Sequence, residues 1–196
     1  MASGYIIGAL GITIAYLAYD TYGKGNVEYV KSSVDQRDYL VQSRPDKEDA
    51  ANLLAIIRQR AEMFIEYLAK SFPNDERTDR LIKKFDPERI REGIDNPTYT
   101  SYSVNKGEQV VFCLRSRDGN KKLEDENTMM FVALHELAHI CTASTGHTSE
   151  YWDNFKWLLE EAVNIGIYKD TDYSKKPVEY CGVQITDTPL HKDDKK

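Results

Sequence analysis

One stretch constrains this chain more than any other: Thr128 to Cys141 reads TMMFVALHELAHIC, an apolar run into which two histidines and a glutamate are set. Asn127 or Thr128 offers a side-chain cap at its start, and Met129 to Leu134 leave no polar face. A helix that is apolar nearly all round belongs in a core. His135, Glu136 and His139 therefore enter the interior with it, and a buried imidazole or carboxylate needs a partner. Histidines four apart are separated by only about 40° around a helix axis, so both rings reach one point from the same face.

His135-Glu136-Leu137-Ala138-His139 is an HExxH motif, the pattern by which a helix presents two imidazoles to a divalent ion. Neutral imidazole nitrogen suits Zn2+, which takes three protein ligands and a water where it is catalytic. Glu136 is then placed as general base toward that water. A third ligand has to come from outside the helix. His147 lies beyond a short loop and follows Gly146, which permits an abrupt backbone turn, so His135, His139 and His147 are the preferred set. Glu160 or Glu161 on the next helix is the alternative third ligand; either could instead accept the free N–H of a ligand imidazole. His191 stands alone near the C-terminus and reads as solvated.

Around this helix the sequence predicts one α+β domain over residues 45–190. From Pro45, with Asp46, Glu48 and Asp49 in the first turn, Leu53, Leu54, Ile57, Ala61, Phe64 and Leu68 recur at helical spacing until Pro73. Shorter helical pieces follow around Arg77 to Phe85 and after Pro87. Tyr99 to Val104 and Gln109 to Leu114, separated by Asn105-Lys106-Gly107, predict a β-hairpin. Ser149 to about Ile165 predicts another helix, stopped by Gly166, and Val178 to Ile185 a last strand. The chain from Asp187 reads as frayed, with residues 191–196 a polar tail. Residues 20–44 read as a linker or extended lead-in whose Tyr29, Val30, Tyr39 and Leu40 can still pack.

Met1 to Tyr19 contain no charged side chain, close to the minimum of about 20 residues for a helix that spans a bilayer. No Lys or Arg precedes the run as in a signal peptide, so residues 1–19 read as a membrane anchor. Gly4 and Gly8 offer a small face through which two such helices could form a homo-oligomer. Lys24, Lys31 and Arg37 follow, which puts the large domain of a single-pass protein on the cytoplasmic, reducing side. Three cysteines, Cys113, Cys141 and Cys181, without a CxxC pair agree with that side. Lys+Arg 26 against Asp+Glu 32 gives a net charge of -6, a poor basis for gripping phosphate, so no nucleic acid partner is expected.

HELAHICTASTGHTSEYWDNF, His135 to Phe155, resembles the catalytic core of the WLM and SprT-like zinc metallopeptidases, in which HExxH is followed by Gly-His and an aromatic pair. The longer stretch from Tyr99 through VNKGEQVVFCLRSRDG and TMMFVALHELAHI to EEAVNIGIY, with PVEYCGVQI after it, is similar to small predicted metallopeptidases of large DNA viruses. The resemblance covers residues 99–185. It implies a compact zincin domain with zinc on His135, His139 and His147 and catalysis by Glu136. The expected function is a membrane-anchored zinc endopeptidase, a hydrolase acting on a protein or peptide substrate along the edge of the strand at Gln109 to Leu114. The alternative is a non-catalytic structural or assembly protein, such as a virion component, that keeps the zincin fold as a scaffold.

Overall fold

The computed structural model describes residues 27–94 and 100–191. The apolar run of residues 1–19, its Gly4 and Gly8 face, and the tail from residue 192 lie outside them. Among the described residues no helix is long and apolar enough to cross a membrane.

The described chain is a mixed α+β structure. Helix α1, Lys47–Ser71, buries Leu54, Ile57, Ala61, Phe64 and Leu68 along one stripe and ends at Phe72, ahead of Pro73. Helix α2, Glu76–Lys84, is capped by Asp75, which accepts the Arg77 N–H at 2.8 Å. Helix α3, Glu126–Cys141, is the core helix, with every residue from Thr128 to Leu134 buried. Its cap is Asp125, not Asn127 or Thr128; the carboxylate accepts the backbone N–H of both at 3.0 Å. An acid there satisfies two orphan donors and meets the positive end of the helix dipole. Helix α4, Ser149–Asn164, starts at the Thr148 cap and packs on α3.

Strands β1, Val27–Lys31, and β2, Asp38–Gln42, form an antiparallel hairpin inside the segment read as a linker. Val30, Tyr39 and Val41 are buried while Tyr29 faces solvent. Such short strands, with one face in water, carry too few apolar residues to stand out in the sequence. A second sheet joins β3, Ile90–Glu92, β4, Tyr102–Val104, and β5, Gln109–Phe112, in the order β3-β5-β4. The β4–β5 hairpin matches the expected one, but β5 lies in the middle. The strand at the edge beside α3 is therefore β4, not the segment from Gln109 to Leu114. Buried Glu92 ties the two sheets together: it accepts the Gln42 N–H at 2.7 Å and the Arg115 guanidinium at 2.8 Å.

Strands β6, Val178–Tyr180, and β7, Val183–Ile185, make a ribbon where one strand was expected, because Cys181 at φ 47° and the next residue reverse the chain. Thr188 and Pro189 are buried, so the frayed region begins later than the sequence suggests. A disulfide joins Cys113, just past β5, to Cys181 at the β6–β7 turn, 68 residues apart, and leaves Cys141 free and buried. An odd cysteine count hides a single long-range bridge, so the reducing-side argument loses its support. Closing a loop of this length is worth about 4 kcal/mol in the chain-entropy view.

Candidate metal centre

Helical spacing places His135 and His139 on one face of α3 with ring centroids 4.9 Å apart. Residues 142–148 leave the end of that helix, turn at Gly146 with φ 85°, and bring His147 back toward them. The His147 ring lies 5.2 Å from His135 and 4.8 Å from His139. One nitrogen from each ring falls within 4.8 Å of the other two. The Nε2 atoms of His135 and His147 face each other at 3.3 Å.

Aromatic residues of α4 form the wall behind the cluster. The buried Tyr151 places its hydroxyl 2.6 Å from Nδ1 of His135 and stacks its ring on His139 at 4.4 Å. Trp152 stacks on His147 at 5.7 Å. Burial, then His139 and His147, push the His135 imidazole down to about 3. Burial, then His147 and Lys106, push His139 down to about 4. Both rings are neutral near pH 7 and keep a lone pair for a cation. A His135 that donates from Nδ1 to the Tyr151 oxygen presents its bare Nε2 to the cluster. Three converging imidazoles, two of them held neutral by burial and one of those oriented by a hydroxyl, are a donor set that fits Zn2+.

Glu136 is buried beside the histidines, and Ser103 of β4 donates to it from both its backbone N–H and its hydroxyl. Burial raises this carboxyl to about 7 despite those bonds. A groove of about 430 Å³ opens over the cluster, lined by Thr100, Tyr102, Ser103, Lys106, Glu136 and His147 among others. The alternative third ligands stand elsewhere: Glu160 is exposed, and Glu161 accepts the Tyr67 hydroxyl at 2.7 Å. His191, read as solvated, contacts Asp170 at 2.9 Å. Sequence reasoning missed Ser103 and the orienting role of Tyr151. With 13 tyrosines in the chain, only the position of Tyr151 in the first turn after the Thr148 cap marks it.

The sequence matches the family described as Phycodnaviridae minor capsid protein P4 over residues 33–194. It is 36% identical over 199 residues to uncharacterized protein R325 of Acanthamoeba polyphaga mimivirus, covering 96% of this chain and 99% of that one. Uncharacterized protein 136R of Invertebrate iridescent virus 6 is 35% identical over 82 residues, 41% of this chain and 44% of its own. Minor capsid protein P4 of Paramecium bursaria Chlorella virus 1 is 27% identical over 118 residues, 57% of this chain and 65% of its own. No solved structure matches the chain.

These matches correct the expectations built on the motif. The resemblance to WLM and SprT-like metallopeptidases rested on residues 99–185, whereas the family found over residues 33–194 is a different one. That family is one of capsid proteins, a structural role, so the zinc peptidase with Glu136 as general base does not stand, nor do its hydrolase chemistry and peptide substrate. The single-pass membrane protein with a cytoplasmic domain is corrected too, because a capsid family points to the virion. The chain belongs to the Phycodnaviridae minor capsid protein P4 family.

Proposed function

We propose that this chain is a structural component of a virus particle, assembling with other virion proteins, on a zincin-like scaffold whose HExxH helix binds zinc for stability rather than catalysis. The family match over residues 33–194 carries this reading. The chemistry of the site agrees with it. Glu136 is engaged by Ser103, which ties α3 to strand β4 and gives the glutamate of the motif a use that needs no turnover. The zincin-like description draws its support from the HExxH helix lying against a sheet with β4 at its edge.

His135, His139 and His147 are the residues that would hold the ion. When bound, zinc supplies a cross-link between a core helix and the loop after it, and its binding energy adds to folding energy. The residues themselves do the rest: Tyr151 orients His135, and burial keeps His135 and His139 unprotonated.

Quantitative mass spectrometry of gradient-purified particles tests the assembly role. The chain is expected at a fixed ratio to the other capsid proteins and retained after a high-salt wash. Abundance in infected cells with absence from particles contradicts the reading.

A further inference from the structure

The loop that carries His147 has almost no apolar anchor. Thr142 is buried at its start, but Ala143, Thr145, Gly146 and His147 are exposed and Ser144 is only partly covered. Apart from the Tyr151 and Trp152 rings beside His147, burial does little to place this loop, and its backbone needs another hold.

Charged side chains from opposite directions supply it. The Lys106 ammonium has three hydrogens, and its Nζ reaches three successive carbonyls, those of Thr142, Ala143 and Ser144, at 2.9, 2.7 and 2.9 Å. On the other side the Glu150 carboxylate, in the first turn of α4, accepts the N–H groups of Ala143 and Ser144 at 3.0 and 3.1 Å. The peptide between these two residues thus has its C=O fixed by a cation and its N–H by an anion. Charge-assisted bonds of this kind are about twice as strong as neutral ones.

The position of Lys106 is itself built. It sits in the β4–β5 turn at φ 54°, a conformation that non-glycine residues seldom adopt. The next residue, Gly107, lies so close to the Lys84 carbonyl that an added Cβ would stand 2.7 Å from that oxygen. The turn is pressed onto the end of α2, which aims Lys106 at the end of α3. The Glu150 carboxyl, drawn down to about 2 by its bonds to Ser144 and then Ala143, stays ionised across the range in which the loop must hold.

We propose that Lys106 and Glu150 are positioning residues, which clamp the backbone of residues 142–148 so that His147 meets His135 and His139. This role rests on the metal reading above. The test compares the full chain with Lys106→Met and Glu150→Gln, with Lys106→Arg as the conservative variant. Zinc affinity is measured by chelator competition, the cobalt-substituted chain is read by its ligand-field absorption, and amide exchange is followed at Ala143 and Ser144 in the metal-free protein.

Each of the first two variants is expected to weaken zinc by ~10-fold or more, alter the cobalt spectrum and speed exchange at both amides, with Lys106→Arg recovering part of the loss. Zinc binding, spectrum and exchange identical to wild type in both variants overturn the clamp while leaving the metal centre intact. A wild type that binds no zinc overturns the metal reading and this role with it; exchange in the metal-free variants then still reports whether the loop is held. A variant that fails to fold is replaced by Lys106→Gln, read in the same way.

Discussion

Helix α3 and the loop that follows it deliver histidines to one cluster by opposite means. His135 and His139 ride on a helix whose neighbours Met130, Leu134, Leu137, Ala138 and Ile140 are nearly or fully buried, so their position is set by packing. His147 is exposed on a polar loop whose backbone accepts from Lys106 and donates to Glu150. Arg80 adds a contact to the Cys141 carbonyl where helix gives way to loop. Packed positions resist salt and fail only with the fold. Positions held by charge can be lost while the fold survives, so the cluster has one histidine more easily released than the other two.

Perturbations aimed at one region should spare the other. The largest effect is expected from Leu134→Ala in the middle of α3, at about 2–5 kcal/mol for a buried leucine. Thr145→Ala in the loop should stay within about 0.5 kcal/mol. Denaturant midpoints of the two variants check the contrast, and similar losses would erase it.

Zinc comes next. At a free concentration about 100 times its Kd it should add about 2.7 kcal/mol to the stability of the folded chain. A chelator should remove that gain from wild type and change nothing in His147→Ala. Thermal melting with and without chelator reads both.

Acid should separate the regions by window. His135 and His139 lie below the ordinary value of 6.5 when folded, at about 3 and about 4. The unfolded chain therefore takes up protons that the folded chain refuses as pH drops below 6.5. Their contribution is full above that pH and declines toward pH 3. Glu150 is depressed from 4.5 to about 2, so its contribution is present above 4.5 and is lost as pH falls toward 2. Stability of the metal-free chain should begin to fall near pH 6.5, and protection of the Ala143 and Ser144 amides only below about pH 4.5. A single shared window would contradict the division.

The smallest change is Tyr151→Phe, which keeps the ring stacked on His139 and removes the hydroxyl from His135. It should weaken zinc roughly tenfold while barely moving the metal-free stability. Isothermal titration against wild type measures the ratio.

Legibility followed the same division. Helix α3 was readable because an unbroken apolar run can go only into a core, and α1 and α4 because their apolar residues recur at helical spacing. The convergence of His135, His139 and His147 was readable from a four-residue spacing and a glycine before the third histidine. What the sequence concealed depends on long-range placement. Lys106 reads as a turn residue and Glu150 as an ordinary first-turn acid until folding brings both to the same peptide. The Cys113–Cys181 bridge and the β1–β2 hairpin are hidden for the same reason. The functional misreading has another origin. HExxH states what a helix can hold, and a metal-binding helix serves a scaffold as readily as a hydrolase; the family match over residues 33–194 separates the two, where the motif alone does not.

Native mass spectrometry of the zinc-reconstituted full chain tests the proposed centre most directly. The account predicts the added mass of one zinc ion on wild type and on Glu161→Ala, and none on His147→Ala, with the fold of all three unchanged by circular dichroism. Zinc retained by His147→Ala and lost from Glu161→Ala would contradict it.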